Sequence, residues 1–380
     1  MGVSTFQIRR ISPIIKPIAA KCNLSCSYCY YKNTHTSDEY GNEMGFAVLA
    51  RIIKDTISIA KHFDQKAEFT WHGGEPTLIG IDFFKQVVNL QKAEIDGTEI
   101  CVKNNIQSNA ILINENWASF SKENNFTFGI SIDGPKWLHD THRQFASGLG
   151  SFDNVMKGIN FLQTNNIKFA AIAVITEASF NHSEEIIDFF IDNGIFQFDL
   201  IPCAELPGSP NRGYTISPDH YAKFMIDAFE HWLSYNNPDI QIRFLRQVVR
   251  GLLKAEPGLC SMGINYCGIF PTITPNGDVF FCDNYEGSED MLVGNITSTP
   301  LQEIIFGHNS RHQQIRNSIS FSKNQCLNCE WKNVCGGGCP RHNRKGVNYE
   351  FSQNNYFCNS YKQIISYISP RINNILSVKQ

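Results

Sequence analysis

The sequence predicts an α/β fold: six β-then-α passes forming a partial TIM-type (β/α)6 barrel, followed by a smaller cysteine-rich domain. Three observations carry this. Short β-like runs alternate with amphipathic helical patterns through the first half of the chain, which is the signature of a parallel sheet with helical crossovers. The alternation stops near Cys203. From Cys260 onward the chain is rich in cysteine, glycine and turn residues.

In chain order, PIIKPI (13–18) reads as the first strand. Apolar residues at three-to-four spacing make 45–62 a helix. AEFTWH (67–72) is the second strand, 81–91 the next helix, and a third strand runs into IQSNA (106–110). A helix near 115–123 leads to FTFGISID (126–133). A helix from Phe152, the strand KFAAIAVIT (168–176), a helix from Glu184 and the strand FQFDLIP (196–202) complete the barrel. The segment ELPGSPNRG (205–213) reads as a loop. Helical patterns follow near 218–235 and 241–254. In ITPNGDVFF (273–281) an Asn-Gly pair between β-like runs signals a hairpin. The expected domains are 8–203 for the barrel, 204–254 for a helical connection and 255–370 for the cysteine-rich unit.

The chain has 380 residues, 42% hydrophobic and 18% charged, an ordinary globular composition. A formal net charge of -3 gives no broad pull toward nucleic acid or membrane. No apolar run is long enough to cross a bilayer, and the N-terminus does not read as a signal peptide. A cytoplasmic protein is expected. Its 13 cysteines are an odd number and disulfides are not expected in a reducing compartment. Cys101 and Cys203 stand alone and read as small buried side chains. The other cysteines form two groups with short, regular spacings, as metal ligands do.

The first group is Cys22, Cys26 and Cys29, spaced Cys-x3-Cys-x2-Cys in the loop after the first strand. Three thiolates hold three irons of a 4Fe–4S cluster and leave the fourth open to a small chelating molecule. Zinc is the alternative, although structural zinc takes four ligands and catalytic zinc prefers at least one His. At the end of the second strand stand His72-Gly73-Gly74-Glu75-Pro76. Glycines allow close approach to backbone polar groups, and Glu75 offers a carboxylate to an ammonium group. The second group is Cys260, Cys267, Cys282, Cys326, Cys329, Cys335, Cys339 and Cys358. Eight thiolates suffice for two fully ligated 4Fe–4S clusters. Two zinc sites would accept the same ligands, but zinc takes up no electron.

The triplet, with Tyr28 before its last cysteine, resembles the radical S-adenosylmethionine (SAM) signature, and the second group resembles the SPASM pattern at every cysteine. With IKPIAAKCNLSCSYCYY, GGEPTL, QSNAILI, GISIDGP and YFCNSYKQ, nearly the whole chain resembles the anaerobic sulfatase-maturating enzymes and related SPASM peptide maturases. The resemblance implies SAM and three 4Fe–4S clusters as cofactors. It implies that Tyr28, Gly73, Gly74, Glu75, Ser131, Arg143 and Ala204, at C-terminal strand ends or just beyond, meet SAM. One auxiliary cluster would take Cys260, Cys267, Cys282 and Cys339, the other Cys326, Cys329, Cys335 and Cys358. Asp283, directly after Cys282, would be the catalytic proton acceptor; as a hairpin-end Asp it would instead only accept backbone hydrogen bonds.

The function so implied is oxidation of a residue in a peptide or protein substrate, as in Cys or Ser to formylglycine. The alternative is a side-chain cross-link in a ribosomal peptide, a cyclophane or thioether. An electron donor such as flavodoxin or ferredoxin is expected, and no nucleic acid or membrane partner. Two departures touch the choice. His72 stands where sulfatase maturases usually carry Gln, and WHGGEP is common in cross-linking maturases. Asn284-Tyr285-Glu286-Gly287 replaces the usual Phe-Tyr-Val after the aspartate. Against cross-linking, no separate leader-binding domain is expected before the first strand, although some cross-linking enzymes also lack one.

Overall fold

A computed structural model describes residues 10–31, 43–204, 213–255, 258–262, 266–322, 326, 328–345, 350–351 and 355–378. The segment 205–213, expected to be a loop, lies outside these except for Gly213. The chain divides into two units. The first holds Met1–Ser131, His142–Phe169 and Gly268–Ser318; the second holds Ile132–Thr141, Ala170–Cys267 and Ile319–Gln380.

In the first unit the strands are β1 (Ile14–Ile15), β2 (Ala67–Trp71), β3 (Val102–Ser108) and β4 (Phe126–Ser131). These four pair in parallel in chain order. Helices α1 (Phe46–His62), α2 (Ile81–Ile95) and α3 (Glu115–Glu123) return the chain between them. The strands alternate in burial, as AEFTW does in β2, so one face meets the helices. There Trp71, Phe84, Trp117, Phe120 and Phe126 pack edge-on or tilted at centroid distances of 5.1–6.2 Å. Beneath them Trp71 Nε1 donates to Asn104 Oδ1 at 3.0 Å, and Asn104 and Gln91 bond reciprocally. Asn114 caps α3 by accepting from Trp117 N.

Five residues after the end of β4, α4 (Lys136–His142) follows Pro135, a helix the periodicity did not reveal; α5 is Phe152–Thr164. Beyond Gly268 come β8 (Thr272–Ile273), β9 (Asp278–Phe280) and β10 (Leu292–Asn295). The Asn-Gly hairpin is present between β8 and β9, with Gly277 N–H closing on Thr274 O at 3.0 Å. Strand β8 also pairs in parallel with β1, Ile14 opposite Thr272 and Ile15 opposite Ile273. The late hairpin thus joins the same sheet as the first strand. Helix α9 (Leu301–Phe306) starts on Asp55 of α1, whose carboxylate accepts from Leu301 N at 2.7 Å.

In the second unit β5 (Phe169–Ile175), β6 (Gln197–Pro202) and β7 (Gln241–Ile242) pair in parallel. Helices α6 (Ser183–Asp192), α7 (Pro218–Ser234) and α8 (Arg243–Leu252) alternate with them, so the pattern near 241–254 is a short strand followed by a helix. Ser217 caps α7, with Pro218 at its first position. Residues 311–322 form α10, 332–335 α11 and 358–378 the long α12. Ser360 at the start of α12 donates to Pro218 O at 2.6 Å. Among the described residues no helix is long and apolar enough to cross a membrane.

Candidate active site

The loop carrying Cys22, Cys26 and Cys29 leaves β1 through Ala19, at φ +51°. The last residue of α4 and those just after it brace it. Ser25 N and Ser27 N donate to Gln144 O and His142 O at 2.7 and 2.9 Å, and Ser27 Oγ bonds His142 Nδ1 at 2.7 Å. The Arg143 guanidinium stands 5.4 Å from the Tyr28 ring centroid, a cation–π contact. Arg143 is buried, not the solvated charge its position in a polar stretch suggests. Leu24 N–H and the Asn109 side chain point at Cys22 Sγ, at 3.4 and 3.9 Å. Burial pushes the Cys22 thiol pKa up to about 12, and the Leu24 N–H opposes it by favouring the thiolate.

None of the thirteen cysteines forms a disulfide. Among the described residues no three Cys, His, Asp or Glu side chains converge on a single ion. One sulfur donor set in one short loop, with N–H groups toward its first sulfur, fits a multi-iron cluster, whose ligated corners lie apart, better than one zinc. Cys203 is buried, as expected, but Cys101 is exposed. It sits at the entrance to β3, where its carbonyl accepts from Ala67 N–H at 3.0 Å and its Sγ lies 3.9 Å from Val102 O.

Beyond β2, the Gly-Gly-Glu segment lies against the start of the cysteine loop. Gly74 N and Glu75 N donate to Ala19 O and Lys21 O at 2.7 and 2.8 Å. A Cβ on Gly74 would lie 2.0 Å from Lys21 O, so the glycine is demanded by this chain's own backbone. Glu75 is 1% exposed. Its Oε1 accepts from Thr77 N, Thr77 Oγ1 and Ser108 Oγ at 3.0, 2.6 and 2.8 Å, and its Oε2 from Asn109 N at 2.7 Å. Burial pushes its pKa up, against these hydrogen bonds. A carboxylate offers about four lone-pair sites, and Oε2 keeps one open. At the ends of neighbouring strands, Gln107 Nε2 donates to Ser131 Oγ at 3.1 Å. Ala204 follows β6, whose exit is fixed by Cys203 N donating to Ile175 O at 2.8 Å.

Asp283 opens a short turn, Asp283–Tyr285, directly after Cys282. It is no mere hairpin end. Its Oδ1 accepts from the Lys16 ammonium, and its Oδ2 from Tyr30 Oη at 3.0 Å. Lys16 is completely buried. Besides Asp283 it meets Tyr31 Oη, His72 Nδ1 at 3.2 Å and Glu286 Oε2 at 3.5 Å. Burial raises the Asp283 pKa, but the Lys16 charge, with the Lys16 and Tyr30 hydrogen bonds, outweighs it and holds the group well below the usual carboxylate range. Burial raises the Glu286 pKa against the pull of Lys16. Burial lifts both tyrosines well above their ordinary values, so they are neutral donors. Two carboxyl groups, one phenol and one imidazole therefore surround one ammonium, and a second phenol, Tyr30, holds Asp283. Sequence reasoning singled out Asp283 and His72 but missed Lys16, Tyr30, Tyr31 and Glu286. The available signal was a lysine inside the apolar strand PIIKPI.

The later cysteines lie at element ends. Cys335 closes α11 and Cys358 opens α12. Between Cys335 and Cys339 three successive glycines, Gly336, Gly337 and Gly338, take φ values of +61°, +83° and +73°. Only glycine adopts such a left-handed run without strain. Asn355 Nδ2 donates to Cys339 O at 2.9 Å, while Cys358 N donates to Asn355 O at 2.9 Å. Asn355 thus links two of the expected ligands.

Comparison with known proteins agrees with this layout. Residues 17–190 match the radical SAM superfamily, and residues 260–330 an iron–sulfur cluster-binding domain, SPASM. A cysteine-type anaerobic sulfatase-maturating enzyme of Clostridium novyi is 32% identical over 93% of this chain and 94% of its own. A serine-type anaerobic sulfatase-maturating enzyme of Bacteroides thetaiotaomicron is 29% identical over 94% of this chain and 89% of its own. Among solved structures, anSMEcpe with bound AdoMet superposes with a TM-score of 0.87 at 28% identity, covering 97% of this chain and 100% of that one. The same enzyme has been solved with AdoMet and a peptide, Cp18Cys.

Proposed function

The chain belongs to the family of anaerobic sulfatase-maturating enzymes, radical SAM proteins with a SPASM domain, and from that premise we propose that it oxidises one residue of a peptide or protein by removing hydrogen from carbon. Cys22, Cys26 and Cys29 would hold the cluster on which SAM binds, and SAM would supply the radical chemistry that removes a hydrogen atom from carbon. Tyr28, Gly73, Gly74, Glu75, Ser131, Arg143 and Ala204 hold SAM, the open lone pair of Glu75 Oε2 meeting its ammonium group. Cys260, Cys267, Cys282 and Cys339 hold one auxiliary cluster, and Cys326, Cys329, Cys335 and Cys358 the other. The domains run 8–203, 204–254 and 255–370. A flavodoxin or ferredoxin of the cytoplasm supplies electrons.

The observation that carries the reading is the state of Asp283. A base must be ionised and within reach of the proton it takes. Lys16 keeps Asp283 ionised, and Lys16 with Tyr30 fixes both of its oxygens in place. Asp283 takes the proton that leaves the substrate radical, beside the cluster ligand Cys282, and the electron lost with it would pass to the auxiliary cluster held by Cys260, Cys267, Cys282 and Cys339. A Ser residue so oxidised becomes formylglycine; a Cys residue becomes a thioaldehyde, which water converts to formylglycine with loss of hydrogen sulfide. His72 and Asn284 favour the second reading, in which a neighbouring side chain traps the oxidised residue and forms a cross-link.

One experiment separates these outcomes. The reconstituted enzyme is given a peptide with the Cys/Ser-x-Pro-x-Arg motif and a precursor peptide encoded beside its own gene. Loss of two hydrogens from the Ser form of the first peptide, with capture by an aldehyde reagent, is the expected result. The same loss without an aldehyde, with two residues joined in fragmentation spectra, selects cross-linking. No modification of either peptide rejects both.

A further inference from the structure

His72 replaces the glutamine usual at its position, and its surroundings fix what its ring offers. The residue ends β2, its backbone N–H donating to Ile15 O at 2.9 Å. Nδ1 accepts from Gly73 N–H at 2.6 Å and faces the Lys16 ammonium at 3.2 Å. A neutral imidazole has one acceptor and one donor nitrogen. Two N–H groups directed at Nδ1 make it the acceptor, so the ring proton sits on Nε2. Burial, and then the Lys16 charge, lower the ring pKa to about 4 despite Asp283 nearby. The ring is therefore neutral at physiological pH. Among the described residues Nε2 has no hydrogen-bond partner, and the side chain is half-buried.

We propose that His72 is a substrate-binding residue whose Nε2–H donates to a backbone carbonyl oxygen of the bound peptide, next to the residue being oxidised. This rests on the peptide-oxidising function proposed above. Lys16 bonds both His72 and Asp283, so a fixed donor and a fixed acceptor stand on either side of one ammonium. A peptide presents the matching pair, a carbonyl oxygen and the hydrogen-bearing side chain beside it. The local charges select a neutral acceptor. An anionic ligand group would meet the carboxyl groups of Asp283 and Glu286, and a cationic one would meet the Lys16 ammonium and the imidazole N–H. The side chain of Gln also ends in an N–H donor, whereas Ala and Phe have none.

The test uses the reconstituted holoenzyme and whichever of the two peptides the wild type modifies. His72→Ala and His72→Phe are expected to raise KM for the peptide about tenfold, the worth of one neutral hydrogen bond. The loss appears in KM rather than kcat, and SAM affinity is unchanged. His72→Gln is expected to restore KM to within about twofold of wild type. Wild-type KM is expected to be flat between about pH 6 and 8, because the imidazole does not titrate there. An unchanged KM in His72→Ala overturns the proposal. So does a His72→Gln variant as impaired as His72→Ala, which makes the effect one of ring packing, or a parallel fall in SAM affinity, which moves the contact to the cofactor. A wild type that modifies neither peptide removes the functional reading and this proposal together, whereas the other failures sink the His72 role alone.

Discussion

Substituting Gly74 by Ala strikes the joint between the two segments that face the cluster loop. The new Cβ would lie 2.0 Å from Lys21 O, 2.4 Å from Lys21 C and 2.6 Å from Ala20 C. All three are backbone atoms, so no side chain can swing aside. Ordinary contact begins near 3.4 Å, so the segments must part by about 1.4 Å, an overpacking that typically costs about 1–3 kcal/mol. Parting them also weakens the bonds from Gly74 N and Glu75 N to Ala19 O and Lys21 O, at about 1 kcal/mol each. Cys22 is the next residue after Lys21, so the displacement reaches the first cluster ligand. Gly74→Ala is therefore expected to lose about four irons per chain, along with SAM binding, while the auxiliary clusters remain. Iron analysis, electron paramagnetic resonance of the reduced protein and calorimetry with SAM measure this. Gly45→Ala is the control, since its Cβ would meet nothing within 4 Å at an ordinary φ of -74°. A Gly74→Ala protein with wild-type iron content and SAM affinity would refute the reasoning.

Three further outcomes follow from the same geometry. Asp283→Asn keeps the shape but removes the base, so modified peptide should fall by about 100-fold or more while SAM cleavage continues; full product formation rejects the role. Lys16→Met leaves Asp283 and Glu286 buried without their cation, a loss of about 3–5 kcal/mol, read as a lowered melting midpoint and faster amide exchange in β1. His312 is fully buried, with Nε2 on Gly268 O at 2.8 Å; burial, with Arg316 adding and the Gly268 bond opposing, lowers its pKa to about 4. The unfolded imidazole binds a proton near pH 6.5 that the folded one refuses, so this stability is full above about 6.5 and is lost as pH falls toward 4, by about 3 kcal/mol in all. The melting midpoint of His312→Phe should therefore depend less on pH than that of wild type between pH 6.5 and 4.5; parallel curves would contradict it.

Local patterns made most of the barrel legible. The apolar spacing of 45–62 became α1 at Phe46–His62, and FTFGISID contains β4 at Phe126–Ser131. Helix α4 escaped because it is only seven residues long, too short to show a period. Helix α12 was overlooked although its buried Tyr361, Ile364, Ile365 and Ile368 stand at helical spacing; Pro370 interrupts the pattern two residues later. The pairing of β8 with β1 is invisible locally, since it joins residues more than 250 positions apart. The same distance hid the heart of the candidate site. Asp283 was marked by the cysteine before it, but its partner Lys16 lies 267 positions away. Cys101 was misjudged because residue type alone favours burial, whereas its place at the entrance to a strand leaves it in solvent.

The central claim, removal of a substrate hydrogen through SAM by this chain, is tested most directly by isotope transfer. The modified peptide is made with deuterium on the β-carbon of the target residue and incubated anaerobically with the reconstituted enzyme, SAM and a reductant. One deuterium is expected in 5′-deoxyadenosine for each peptide modified. Modified peptide accompanied by 5′-deoxyadenosine without deuterium, or modification that proceeds in the absence of SAM, would contradict the claim.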